Sequence, residues 1–109
     1  NKEQVNAASA YGEIVFIKFP DVDAMGDEDY IHALATKEVE KIMSLITDKE
    51  HDVVHIMGEL NLNYEMVTML KELGVTCVAS TSARIVDESN DNGEFNKNAK
   101  FEFRMFRKY

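Results

Sequence analysis

Short apolar runs alternate along the chain with longer amphipathic stretches, and each predicts an element. Val5, Ala7, Ala8 and Ala10 lead to Gly12, the pattern of the last turns of a helix with a glycine just past its end. Ile14, Val15, Phe16, Ile17 and Phe19 form a nearly continuous, partly β-branched apolar run stopped by Pro20, which predicts a strand covered on both faces. Residues 21–29 are an acidic loop. Ile31, Leu34, Ala35, Val39, Ile42, Met43 and Ile46 then recur at helical spacing, with acidic residues before the first turn and lysines on the outer face, predicting a long amphipathic helix over 28–47.

The same logic repeats. Val53, Val54, Ile56 and Met57 read as a second buried strand broken by Gly58. Leu62, Met66, Met69, Leu70 and Leu73 mark one helical stripe, with Asn61 or Asn63 placed to cap it and Gly74 to end it. Residues 75–79 read as a third buried strand, so strands alternate with helices and imply βαβ units around a mostly parallel sheet. From Arg84 the pattern changes. Ile85-Val86 and residues 101–106 flank the polar, turn-rich residues 89–93, an antiparallel hairpin closing one edge of the sheet. The expected fold class is α/β: a Rossmann-like, mostly parallel sheet with flanking helices and a C-terminal antiparallel hairpin, in one domain over residues 1–109. Open sheets of this kind usually start with a strand, whereas this sequence starts in a helical pattern, so a first, central strand is expected before Asn1.

Composition narrows the reading. A chain of 109 residues, 45% hydrophobic and 29% charged, has room for one core and no second domain. No stretch approaches the roughly 18 apolar residues of a membrane span, and no charged segment leads into an apolar one at the start, so a cytoplasmic protein is expected. The single cysteine, Cys77, sits in an apolar run as a buried thiol and can form no intrachain disulfide. Twenty acidic against twelve basic residues give a net charge of -8, which argues against binding long nucleic acid. Lys97, Lys100, Arg104, Arg107 and Lys108 interleave with aromatics, but Phe101, Phe103 and Met105 alternate with Glu102 and Arg104 at period two, as in a half-buried strand.

In open parallel sheets, ligands bind beyond the carboxyl ends of the strands, where helix amino termini present free N–H groups. Residues 20–23, 58–63 and 80–84 are expected to converge there. Gly58 permits close backbone approach, Glu59 supplies a carboxylate, and Asn61 and Asn63 stand at the start of a helix. Ser80, Thr81 and Ser82 supply hydroxyls, and Arg84 a guanidinium that can grip phosphate in a bidentate fork. The same residues also read without a ligand, as caps, a turn, and an arginine paired with Glu59 or Asp87.

Sharper motifs fail. Neither a dinucleotide fingerprint nor a phosphate-binding P-loop is present. Residues 21–26 resemble the opening of a calcium loop, but Met25 stands where an oxygen ligand is needed and His32 where the closing glutamate belongs. His51 and His55 are four apart, yet His55 falls in a strand and no third ligand is near, so no metal is expected. His55 reads as a hydrogen-bonded core histidine before a catalytic one, and a Cys77–His55 nucleophile pair would need the two side chains to face each other. Met57, Met66 and Met69 read as core packing.

The segments His55-Ile56-Met57-Gly58-Glu59-Leu60, Cys77-Val78-Ala79-Ser80-Thr81 with Arg84-Ile85-Val86, and residues 103–109 resemble small CRISPR-associated Rossmann-like proteins of type III systems. These are similar to the ring-nuclease and CARF-type domains that recognise cyclic oligoadenylate, and the likeness takes in residues 11–15 and 19–23. It implies an adenylate ring or other small anionic ligand held across a homodimer by strand-end loops, with no cofactor. It also implies metal-independent chemistry, in which a ribose 2′-hydroxyl is set in line with its phosphate. Arg84 or amides near Asn61 would stabilise charge, and Glu59 or His55 would serve as base. The competing expectation is a non-enzymatic homo-oligomeric interaction module built on the acidic surface and the aromatic tail at Phe106 and Tyr109.

Overall fold

The computed structural model describes residues 2–91 and 94–109, with side chains for 2–86 and 100–109. The elements run α1 (Lys2–Ser9), α2 (Glu28–Leu45), β1 (Val53–His55), α3 (Leu60–Glu72), β2 (Thr76–Asp91) and β3 (Glu94–Lys108). They form an α/β domain around a three-stranded mixed sheet of order β1-β2-β3. β1 and β2 are parallel and joined through α3, with Val54 opposite Cys77 and His55 opposite Val78. β2 and β3 are antiparallel from the Val78–Lys108 pair to the Asp91–Glu94 pair. One parallel and one antiparallel pairing make the sheet mixed rather than mostly parallel.

The long helix expected over 28–47 is α2. Asp27 caps it, its carboxylate accepting from the Tyr30 amide, and Glu28 and Asp29 in the first turn complement the helix dipole. Its inward stripe of Ile31, Ala35, Val39 and Ile42 meets Leu62, Met66, Val67 and Leu70 of α3, and both helices lie over Ile56, Val75 and Cys77. Leu62, Leu70 and Ala35 keep no exposed surface, which marks the centre of the core. Gly74 ends α3 at φ +83°, a left-handed conformation that glycine adopts without a Cβ penalty.

Alternation along the strands divides the sheet into two faces. Val54, Ile56 and Cys77 face the α2–α3 layer. His55, Val78 and Ser80 point the other way, where short α1 lies and where Tyr11 and Phe103 pack against Phe106. Cys77 and His55 therefore stand on opposite faces, so they form no nucleophile pair. The thiol is buried, as expected, and burial pushes its pKa up.

Three expectations are corrected. Residues 14–19 form no strand: they run as irregular chain, with Val15 61% and Phe16 79% exposed. A β-prone run becomes a strand only when an edge pairs with it, and the free edge of β1 is separated from this segment by a cavity. Second, residues 80–84 are not a strand-end loop, because β2 runs unbroken from Thr76 to Asp91. Third, the antiparallel hairpin expected around residues 89–93 is present, but Ser89, Asn90 and Asp91 of its turn-rich stretch belong to β2; Asn92 and Gly93 lie outside the described residues. The outer parts of β2 and β3 make a two-stranded ribbon. It explains a radius of gyration of 17.9 Å, against about 13 Å for a compact chain of this size.

Candidate functional site

A cavity of about 800 Å³ opens between residues 12–20 and the free edge of β1, with α1 above and α2 below. Its size suits a nucleotide-scale ligand. Hydrophobic walls come from Val5, Ile17, Ile42 and Val53, and polar character from Gln4, Glu38 and His55.

His55 is the best-defined polar group of this wall. Its Nε2 lies 2.7 Å from Ser80 Oγ, and its ring meets Phe106 edge-on at a centroid distance of 5.4 Å. One side of the ring is open and the other packed, and the partial loss of hydration lowers its pKa below the ordinary value near 6.5. The expected hydrogen-bonded histidine is present, on the outer face of the sheet instead of in the core. Ser80 is half-buried and level with the end of β1, since its amide donates to Met57 Sδ at 3.2 Å. Met57 is thus a surface residue, 52% exposed, whereas Met66 and Met69 do pack in or against the core. Gln4 donates its side-chain amide to Ser80 Oγ, so three polar side chains meet at one hydroxyl.

The remaining residues singled out in the sequence are dispersed. Gly58 does permit close approach, but by a side chain: the Phe19 ring rests where a Cβ would stand. Glu59 is the N-cap of α3 in place of Asn61 or Asn63, its carboxylate accepting from the amides of Asn61 at 3.2 Å and Leu62 at 2.8 Å. The Asn63 amide bonds back to the Glu59 carbonyl at 2.8 Å, so the amides of Asn61, Leu62 and Asn63 already have partners. A capping carboxylate holds those amides more closely than a free anion could, because it is covalently tethered. The Asn63 side chain donates to Tyr109 Oη at 3.2 Å, and its own Oδ1 is buried without a hydrogen-bond partner.

Thr81 points to the opposite face from Ser80 and bonds both the carbonyl and the amide of Met105, at 3.2 and 3.1 Å. This closes the pairing at the bulge between Thr81 and Ser82. Ser82 and Arg84 are exposed on the ribbon, with Arg84 opposite Phe101. At about 3.3 Å per residue, Arg84 stands about 13 Å along the strand from Ser80. It pairs with no carboxylate among the described residues, and the side chain of Asp87 lies outside them.

Tyr109 directly follows β3 and is held at both its hydroxyl and its amide. Its hydroxyl donates to the Ile56 carbonyl at 2.6 Å, and its amide donates to the Cys77 carbonyl at 3.0 Å. Sequence reasoning missed Gln4, which stands among Lys2, Glu3, Asn6 and Ser9 in a largely polar helix, so the pattern set it apart in no way. It also missed Glu38, a 6%-exposed carboxylate paired with Lys41 at 3.5 Å. Glu38 follows Ile31 and Ala35 and precedes Ile42 on the buried stripe, so its spacing was a usable sign.

His51 bonds Asp48 at 2.7 Å in the turn before β1, on the far side of the strand start from Ser80. Among the described residues, no three His, Cys, Asp or Glu side chains gather as a metal site, and no helix is long and apolar enough to cross a membrane.

The fold and the cavity together define a small α/β domain with a Gln4–Ser80–His55 cluster on the less covered sheet face. The chain belongs to the uncharacterized protein MJ1673 family, whose model matches residues 1–107. No curated protein and no solved structure matches the chain.

Proposed function

We propose that this chain is a Rossmann-like, cytoplasmic CRISPR-associated domain that binds a cyclic oligoadenylate signal at the cavity beside β1 and opens the ring without a metal. The observation that supports it most is the contact of His55 with Ser80 at the wall of a nucleotide-sized cavity. Tyr11 and Phe106 offer aromatic surface for adenine beside the same polar cluster. The segments that resemble type III CRISPR-associated proteins carry His55 and Ser80 as well.

In this reading a neutral His55 accepts the proton of a ribose 2′-hydroxyl. The 2′-oxygen attacks the adjacent phosphorus, the P–O5′ bond breaks, and a proton returns to the 5′-oxygen. The products are a 2′,3′-cyclic phosphate and a 5′-hydroxyl. A histidine with a lowered pKa is in the correct form for the first step at neutral pH. Arg84 reaches a ligand here only in a second copy or through a large ring, which fits a site shared across a homodimer.

Incubation of the protein with cyclic tri-, tetra- and hexa-adenylate tests this, following binding by calorimetry and products by chromatography. Binding with metal-independent linear product is expected. No binding to any ring overturns the reading, and binding without product removes the enzyme while keeping the receptor.

A second reading, a homo-oligomeric interaction module, is favoured by the ribbon, where Phe101 is 68% and Met105 55% exposed. Phe101→Ser combined with Met105→Ser leaves the core untouched. Loss of self-association in sedimentation would support this reading, and an unchanged state would remove the ribbon from it.

A further inference from the structure

Ser80 is the point where the other two polar side chains of the cluster meet. Gln4, in the first turn of α1, donates its Nε2 to Ser80 Oγ, and that oxygen lies 2.7 Å from His55 Nε2. A serine hydroxyl has one proton to give and two lone pairs to offer. With the Gln4 amide on one lone pair, the second could still accept an Nε2–H, but the hydroxyl proton would then have no acceptor among the described residues; giving that proton to His55 satisfies it. A hydroxyl that donates to an imidazole requires a nitrogen carrying its own lone pair, which leaves the ring proton on Nδ1. Packing of the imidazole edge-on to Phe106 fixes the ring plane so that Nε2 keeps this direction.

We propose that Gln4 is a positioning residue: by donating to Ser80 it turns the Ser80 hydroxyl toward His55 and holds His55 Nε2 as an unprotonated acceptor at the cavity wall. As a base that nitrogen would act through Ser80, whose second lone pair takes the ribose proton as the hydroxyl passes its own proton to Nε2; this use rests on the function proposed above, and the hydrogen-bond direction does not. Partial burial of His55 acts the same way by disfavouring the doubly protonated ring. The reverse arrangement, with the Gln4 amide turned over, would have Ser80 donate to Gln4 and His55 donate to Ser80. The two arrangements differ in the tautomer of His55, which is directly observable.

The test is nitrogen-correlated NMR of histidine-labelled protein without ligand, well above the pH at which imidazole titrates. For the unmodified chain the expected state is His55 with Nδ1 protonated and Nε2 bare. Gln4→Glu keeps the side chain's shape but presents only acceptors once ionised. Ser80 must then donate to it, and His55 is expected to shift to the Nε2–H tautomer. Gln4→Leu removes both roles and should give a mixture of tautomers. An Nε2–H tautomer in the unmodified protein would overturn the proposal even if neither variant folded. So would a Gln4→Glu spectrum with the tautomer unchanged. Because no nucleotide is present, this outcome and the ring-binding outcome are independent.

Discussion

The hydroxyl of Tyr109 donates to the carbonyl of Ile56 at 2.6 Å and accepts from the Asn63 side chain at 3.2 Å. The last residue of the chain thereby ties the end of β3 to the loop between β1 and α3, across β2. Ile56 is 5% exposed and the first residue after β1, so its carbonyl has no ladder partner and needs one from elsewhere. Tyr109→Phe removes both bonds while keeping the ring. A loss of about 1 to 2 kcal/mol in urea unfolding is expected, whereas an unchanged midpoint would show that water replaces the hydroxyl fully.

Glu59 serves as cap before any chemistry. Glu59→Ala should lower stability by about 1 kcal/mol through the freed amides of Asn61 and Leu62. Glu59→Gln, which keeps one accepting oxygen, should retain part of that stability. Thermal unfolding of the two variants separates the cap from any effect on ligand turnover.

Gly58 makes room for the Phe19 ring. Gly58→Ala places a methyl where that ring lies, so either Phe19 or the loop must shift. The expected cost is about 1 to 3 kcal/mol. Phe19→Ala in the same background should relieve most of the added penalty, which a double-mutant cycle would read as coupling between the two positions.

The pH dependence follows from His55. Its folded pKa lies below the ordinary value, so below about pH 6.5 the unfolded chain binds the proton more readily than the folded one. The contribution is complete above that ordinary value and is lost as pH falls through the lowered one. The difference in urea midpoint between the unmodified protein and His55→Gln should therefore shrink from pH 7.5 to pH 5. A difference independent of pH would contradict the assignment.

Arg84 is exposed on the ribbon, away from the core. Arg84→Ala should change stability by less than about 0.5 kcal/mol. If Arg84 grips an anionic ligand, the same change should abolish binding in calorimetry, and full retention would remove it from the site.

Much of this organisation could be seen in the residue pattern. The apolar stripes of α2 and α3, the glycine that stops α3, the buried Cys77 and the antiparallel partnership of β2 and β3 all follow from periodicities of 3.6 and 2, which act over a few neighbouring residues. Where several local patterns competed, the pattern was a weaker guide. Glu59 took the cap from Asn61 because its longer carboxylate reaches two amides, a geometric detail that residue type alone does not specify. Residues 80–84 looked like a loop because serine and threonine favour turns, yet β3 pairs with β2 through that stretch and keeps it extended.

Local chemistry along the chain thus determined the class of fold, the two long helices and the presence of His55 and Ser80 among the polar residues to watch. Only the tertiary structure decided that these two meet across neighbouring strands, that Gln4 joins them from a helix 76 positions before Ser80, and that Arg84 stands apart on the ribbon. It also left residues 14–19 without a strand partner despite their strong β pattern. The physical reason is common to all four cases. Strand register, the face on which a side chain emerges and the availability of a free edge are set by pairing between distant segments, and no run of consecutive residues contains that information.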